Sequence, residues 1–136
     1  MRALERPRIL LVDDHAAVRH ALAAVLSKEG VGECREVPDR REALDAVEHE
    51  VQDVALVDLS PATEEALQLV AELSVRNIPV LVCSMRDEPG FVRRAMAAGA
   101  RGYITKAEAP DELARAVRDV MAGWMLISPL AAEGLR

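Results

Sequence analysis

The sequence has very few aromatic residues: one Phe, one Tyr and one Trp make up 2% of its 136 residues. Surfaces that stack nucleic-acid bases or sugar rings need several aromatic faces, so this composition argues against both. Basic residues are also in the minority, with 17 against 23 acidic ones and a formal net charge of −6. The chain therefore has no electrostatic attraction of its own for nucleic acid, and it carries no basic amphipathic stretch for a membrane surface.

Cysteine is scarce and long apolar runs are missing. Cys34 and Cys83 lie far apart and form no CxxC pair, which argues against a disulfide framework and against a zinc site. We interpret both as buried thiols in a reducing compartment and expect a cytoplasmic protein. Each apolar run spans only a few residues, too few for a bilayer-spanning helix or a signal-peptide core.

What the chain does have is an alternation of short apolar runs with longer amphipathic ones, in a length typical of one globular domain. Helix signals accompany the amphipathic runs: Gly30 as a C-terminal stop, Asp39 and Thr63 as caps, Asp87 as an opening residue and Pro110 at N1. The alternation predicts an α/β fold with a five-stranded parallel sheet covered by helices on both faces. Five runs of β type carry this prediction, at residues 8–12, 33–37, 53–59, 79–84 and 102–105.

Polar residues stand at the ends of four of these runs: Asp13 and Asp14, Asp58, Ser84 and Lys106. Each is ordinary by itself, as a helix cap, a turn residue or a surface charge. However, the carboxyl ends of parallel strands meet at one edge, so these side chains are expected to converge. A lysine at this position is also unusual for this chain, which uses Arg fifteen times and Lys only twice.

Such a group of side chains favours phosphoryl chemistry. Neighbouring carboxylates repel each other by about 4 kcal/mol per close pair at an effective dielectric constant near 20, unless a cation neutralises them. Oxygen ligands alone favour Mg²⁺ over zinc. An ammonium and a hydroxyl beside the metal suit the oxygens of a phosphoryl group. Asp58 ends the central strand and is the natural nucleophile, which would give an acyl phosphate.

The segments that carry these residues are ILLVDDH (residues 9–15), ALVDL (55–59), VLVCS (80–84) and AAGARGYITK (97–106). With them, residues 8–122 resemble the receiver domain of bacterial two-component response regulators, the CheY-like family. The resemblance implies a doubly wound sheet of strand order 2-1-3-4-5. We place the receiver domain at residues 6–122 and read residues 123–136 as a tail or the start of a linker to an output domain.

The resemblance also implies roles for the residues at the sheet edge. Asp13 and Asp14 correspond to the acidic pair, with Asp14 a direct Mg²⁺ ligand, and Asp58 corresponds to the phosphoacceptor. The backbone carbonyl of Ser60 would be a further metal ligand.

Three more residues take roles in signalling. Ser84 corresponds to the switch hydroxyl, Lys106 to the family's lysine, and Tyr103 to an aromatic switch that turns inward on activation. A half-buried strand aromatic is the alternative for Tyr103. The implied function is phosphorylation by a sensor histidine kinase, followed by homodimerisation or altered contact with an output domain. We expect no enzymatic activity beyond slow hydrolysis of the acyl phosphate.

The DDH start, the ARGYITK segment and GWMLISP at residues 123–129 are most similar to the NarL/FixJ (LuxR-type) regulators. These usually carry a helix-turn-helix DNA-binding domain after the receiver, and they control transcription. We expect DNA contact only through an output domain that these 136 residues do not include. The sequence leaves open whether the chain is truncated or a stand-alone receiver.

One stretch departs from the family pattern, SPATEEA at residues 60–66. Pro61 comes early and restricts Ser60 to extended backbone angles, and Ala66 stands where a glycine is common. This departure motivates an alternative: a non-phosphorylated receiver that serves only for dimerisation or docking. A phosphatase-like hydrolase is disfavoured, since Ser60 rather than a second carboxylate follows Asp58 by two residues.

Overall fold

The computed structural model describes residues 6–59, 63–85 and 89–133, with the side chain of Pro89 left aside. Across these residues, six parallel strands form one sheet in the order β2-β1-β3-β4-β5-β6. The strands are β1 (Arg8–Val12), β2 (Glu33–Val37), β3 (Val54–Val57), β4 (Val80–Ser84), β5 (Gly102–Thr105) and β6 (Leu126–Ile127). The helices are α1 (Ala16–Lys28), α2 (Arg40–His49), α3 (Thr63–Val75), α4 (Pro89–Ala98), α5 (Ala109–Met121) and α6 (Pro129–Glu133).

The predicted α/β class and the order 2-1-3-4-5 are confirmed for the first five strands, and the count of five is corrected to six. β6 contains two residues, paired as Gly102↔Leu126 and Tyr103↔Ile127. A strand this short shows no alternating pattern, so the sequence could not reveal it. Residues 126–133, expected to be tail or linker, instead extend the sheet and add a short helix that packs on β5.

The helix signals are mostly where the sequence placed them. The Asp39 side chain accepts a hydrogen bond from the Glu42 N–H at 2.9 Å and caps α2. Gly30, just past the end of α1, has a φ of +69°. Thr63 is the first residue of α3, and α5 begins at Ala109, so Pro110 comes one position later than predicted. Asp87 lies outside the described residues.

The sheet is buried on both faces by two apolar clusters. Side chains of a strand alternate between faces, so Ile9 packs towards α1 and α5 whereas Leu10 packs towards α2, α3 and α4. β3 and β4 are buried throughout, as interior parallel strands should be, and β2 forms an edge. Cys83 on β4 is buried as interpreted, but Cys34 on the edge strand is only partly buried.

The helices are short in relation to a bilayer. Among residues 6–59, 63–85 and 89–133, no helix combines the length and the apolar character needed to cross a membrane.

Candidate functional site

Three strands bring acidic and basic side chains together at the carboxyl edge of the sheet. Asp13 follows β1, Asp58 follows β3 and Lys106 follows β5. One carboxylate oxygen from each of Asp13, Asp14 and Asp58 lies within 4.8 Å of the other two. The Lys106 Nζ donates hydrogen bonds to Asp13 Oδ2 at 2.9 Å and to Asp58 Oδ2 at 3.1 Å. The structure therefore places these four side chains in one cluster.

Burial strengthens the interactions between the charges of this cluster. Asp13 is 2% exposed and Asp58 is 9% exposed, while Asp14 faces solvent. Burial alone lowers the pKa of Lys106, but hydrogen bonds and charges from Asp13 and Asp58 outweigh it, so the pKa is raised. Lys106 is thus an ammonium at neutral pH. One cation faces three carboxylates, and their mutual repulsion leaves the cluster short of positive charge.

The donor set fits a magnesium ion. Three carboxylates that offer oxygen atoms within reach of one another match the preference of hard divalent cations for oxygen. The exposed position of Asp14 lets an ion enter from solvent. Asp13, Asp14 and Asp58 are therefore the residues that could hold Mg²⁺. Ser60, named as a backbone ligand, lies outside the described residues, and so does Pro61.

The loop after β1 is held by contacts that the sequence did not suggest. Asp13 Oδ1 accepts a hydrogen bond from the His15 N–H at 2.9 Å. Arg19 on α1 donates to the Asp13 carbonyl at 2.8 Å and to Glu36 on β2 at 3.1 Å. Arg19 therefore ties the acidic loop to both α1 and β2. Nothing in the sequence marks this arginine among the fourteen others.

Ser84 and Tyr103 lie on the neighbouring strands β4 and β5. Ser84 is fully buried opposite Thr105, and its carbonyl accepts a hydrogen bond from the Lys106 N–H at 2.9 Å. Tyr103 is also fully buried, in the apolar cluster on the α3–α4 face of the sheet. Tyr103 is thus a fully rather than half-buried strand aromatic, and its role as a switch stays a prediction.

A small cavity opens next to the carboxylates. Its volume is about 120 Å³, far below the several hundred Å³ of typical small-molecule pockets, so it has room for a small group and water but not for a large substrate. Asp39 and Arg40 at the start of α2 form one side of it, and Ala66 of α3 another. The remaining lining residues are Val12, Asp13, Asp14, Pro38, Val57, Asp58, Glu65 and Leu69.

Residues 9–118 match the family model of the response regulator receiver domain. The chain is similar to the transcriptional regulatory protein UhpA of Salmonella typhimurium, with 34% identity over 89% of this chain and 62% of that protein. It is also similar to the probable transcriptional regulatory protein NarL of Mycobacterium tuberculosis, with 31% identity over 96% of this chain and 62% of that protein. The chain thus spans about three-fifths of the length of these curated relatives.

Solved structures of response regulators have the same fold as this chain. A crystal structure of a LuxR-family two-component response regulator from Aurantimonas sp. SI85-9A1 matches with a TM-score of 0.86 and 29% identity, over 94% of both chains. The α/β fold is that of CheY-like receiver domains, which are signalling modules and not classical enzymes. The chain accordingly belongs to the response regulator receiver domain family, and its relatives are regulators of the LuxR/NarL type.

Proposed function

We propose that this receiver domain is a phosphorylation switch in which Asp58 accepts a phosphoryl group from a sensor histidine kinase. The observation that supports this most strongly is the ammonium of Lys106 bonded to Asp58 Oδ2 at 3.1 Å inside a cluster of three carboxylates. A buried carboxylate beside a fixed cation is suited to become an acyl phosphate, because the cation neutralises the oxygens of the phosphoryl group.

The transfer is a displacement at phosphorus. A carboxylate oxygen of Asp58 forms the new O–P bond while the P–N bond of the donor phosphohistidine breaks. The electron pair of that bond stays on the ring nitrogen, and the ring leaves as neutral imidazole because its other nitrogen carries a proton. Lys106 contributes by its fixed charge and keeps its proton throughout, in line with its raised pKa.

Asp13, Asp14 and Asp58 would hold Mg²⁺. When bound, the ion supplies positive charge that offsets the repulsion between the carboxylates and the incoming phosphoryl oxygens. The carbonyl of Ser60 remains a proposed fourth ligand from the protein.

The signal then passes from the site to the protein surface. We propose that the Ser84 hydroxyl donates to a phosphoryl oxygen and that Lys106 contacts another, which shifts the equilibrium between two forms of the domain through their different contacts. Tyr103 lies on β5, the strand next to that of Ser84, and would follow this shift. Homodimerisation or contact with an output domain would be the result, and transcription control with DNA contact would belong to a longer protein. Two free thiols fit a cytoplasmic location.

Acetyl phosphate tests this proposal directly. With Mg²⁺ present, the wild-type protein should gain the mass of one phosphoryl group, and Asp58→Ala should gain none. Asp45→Ala is the matched control, since Asp45 is an exposed carboxylate on α2 that pairs with His49. Unchanged labelling of Asp58→Ala would reject the assignment of the acceptor. No labelling of the wild type would favour the non-phosphorylated docking module.

A further inference from the structure

Glu108 is a carboxylate that accepts hydrogen bonds from a neighbouring residue and from a distant part of the chain. It lies in the turn between β5 and α5, two residues after Lys106. Its Oε1 accepts hydrogen bonds from the Thr105 N–H at 3.0 Å, from the Thr105 hydroxyl at 2.9 Å and from the Ser128 hydroxyl at 2.5 Å. Its Oε2 accepts one from the Leu130 N–H at 3.2 Å. One side chain thus joins the turn that carries Lys106 to residues 126–133, which we call the C-terminal segment.

The C-terminal segment is attached to β5 at a second place. The Ser128 N–H donates to the Tyr103 carbonyl at 3.0 Å, next to the β5–β6 pairing. Ala131 of α6 is fully buried in the same apolar cluster as Tyr103. The segment therefore packs against β5, the strand that contains both Tyr103 and Thr105. A shift of either residue would displace the segment.

Ser128 also begins the helix of the segment. Its hydroxyl oxygen accepts from the Ala131 N–H at 3.3 Å, and its carbonyl accepts from the Ala132 N–H at 2.7 Å. The hydroxyl proton is given to Glu108, so the position of α6 depends on where Glu108 holds Ser128.

The Glu108 carboxylate is ionised at neutral pH. Burial raises the pKa of Glu108, but the hydrogen bonds from Ser128, Thr105 and Leu130 outweigh this effect and lower it. Hydrogen bonds to a charged acceptor are roughly twice as strong as those between neutral groups. The contact between the turn and the segment is therefore stronger than that of a neutral side chain of the same shape.

We propose that Glu108 is a positioning residue that couples the phosphorylation site to the C-terminal segment. The inference rests on the proposed function, because Lys106 is the group that would move towards a phosphoryl group on Asp58. Lys106 follows Thr105 directly, and the Glu108 N–H donates to the Thr105 carbonyl at 3.1 Å, so the turn moves as a unit. Displacement of Lys106 then shifts Glu108 and loosens or tightens its hold on Ser128. By linkage, docking of the segment must in turn change the affinity of the site for a phosphoryl group.

Hydrogen exchange followed by mass spectrometry tests the contact itself. In Glu108→Ala without phosphodonor, amides of residues 126–133 should exchange about tenfold faster than in the wild type, equivalent to about 1.4 kcal/mol. Amides of β1 and β3 should be unchanged. Glu108→Gln keeps one acceptor oxygen and should lie between the two. Glu112→Ala removes a carboxylate from the first turn of α5, where it pairs with Arg115, and should behave as the wild type.

A phosphoryl analogue tests the coupling. Beryllofluoride with Mg²⁺ should change the exchange of residues 126–133 in the wild type and leave it unchanged in Glu108→Ala, although Asp58 in that variant still takes phosphoryl from acetyl phosphate. Ser128→Ala removes the partner from the other side and should show the same loss of response, which covers the case that Glu108→Ala does not fold.

Two results would overturn the inference. Wild-type exchange of residues 126–133 in Glu108→Ala would show that the contact does not hold the segment. A response to beryllofluoride of wild-type size in both variants would show that the contact does not couple the two. If the wild type takes up no phosphoryl group, the proposed function fails and the coupling with it, a result distinguishable from the other two by mass alone.

Discussion

At the scale of single residues, Lys106 governs the charge of the site. Its ammonium bonds to both buried carboxylates, so it opposes their repulsion in the same way that a metal ion would. Lys106 therefore competes with Mg²⁺ for the negative charge of the cluster and yet assists the transfer of a negatively charged group. In a variant without Lys106, Mg²⁺ binding should therefore become tighter while phosphoryl transfer becomes slower.

For Lys106→Ala we predict tighter metal binding together with slower phosphorylation. Mg²⁺ should bind about tenfold more tightly, because a competing positive charge is gone. Labelling by acetyl phosphate should slow by about 10- to 100-fold, which corresponds to the loss of charge-assisted hydrogen bonds worth about 1.5–3 kcal/mol. Calorimetric titration and time-resolved mass spectrometry measure the two. Lys28→Ala, at the exposed end of α1, is the control. Weaker Mg²⁺ binding in Lys106→Ala would contradict the competition.

The sequence predicts the members of the cluster better than the residues that support them. Asp13, Asp58 and Lys106 are recognisable because each directly follows an apolar strand, and parallel strands end at one edge. Arg19 and Glu108 lie in a helix and in a turn, where charged residues are ordinary. Their partners are 17 and 20 residues away, at Glu36 and Ser128, and only the folded chain brings them together.

At the scale of secondary-structure elements, the turn from α4 to β5 depends on Gly99. Its φ is +117°, and a Cβ at this position would lie 2.5 Å from the Ser74 Oγ on α3. Both the backbone conformation and the space exclude a larger residue. The turn sets where β5 begins, and with it the position of Lys106 at the other end of the strand.

Gly99→Ala should therefore destabilise the fold by about 1–3 kcal/mol. Gly90→Ala, in α4 of the same turn-helix unit, should be neutral or stabilise by up to about 1 kcal/mol, because alanine favours helix and a Cβ there meets no described atom within 4 Å. Urea unfolding measures both differences. Equal stability of the two variants would mean that the Gly99 conformation is not required.

The docking of α6 should weaken at acidic pH. The pKa of Glu108 is lowered below its ordinary value of 4.5, so its stabilising effect is complete above pH 4.5 and is lost as the pH falls through the lowered value. We predict that the amide signals of Thr105 and Leu130 shift together in NMR spectra below pH 4.5. Glu108→Gln lacks the titrating group and should show no such shift. A joint shift that persists in Glu108→Gln would assign the transition to another group.

Elements with a strong pattern are predictable from the sequence, whereas short ones are not. β1, β2 and β5 have the predicted bounds, and β3 is shorter than its apolar run because Asp58 and Leu59 continue past the ladder. β6 and α6 contain two and five residues and depend on contacts with β5 and Glu108. Tertiary contacts rather than local preference determine such elements.

At the scale of the whole molecule, the acidic cluster costs stability that a bound cation would restore. A ligand that binds only the folded state raises its stability according to its concentration relative to the dissociation constant. At a Mg²⁺ concentration about 100 times that constant, the free energy of unfolding should rise by about 2.7 kcal/mol. Thermal unfolding with and without Mg²⁺, at matched ionic strength, measures the gain. Asp14→Asn removes the exposed ligand without disturbing the core and should reduce it sharply. An equal gain in both proteins would place the ion elsewhere.

The most direct test of a phosphoacceptor at Asp58 is chemical trapping of the acyl phosphate. Borohydride reduces an aspartyl phosphate to homoserine, which peptide mass spectrometry locates to a single residue. After reaction with acetyl phosphate and Mg²⁺, we expect homoserine at position 58 alone. Homoserine at position 13 or 14, or a stable phosphoryl group on any other residue, would contradict it.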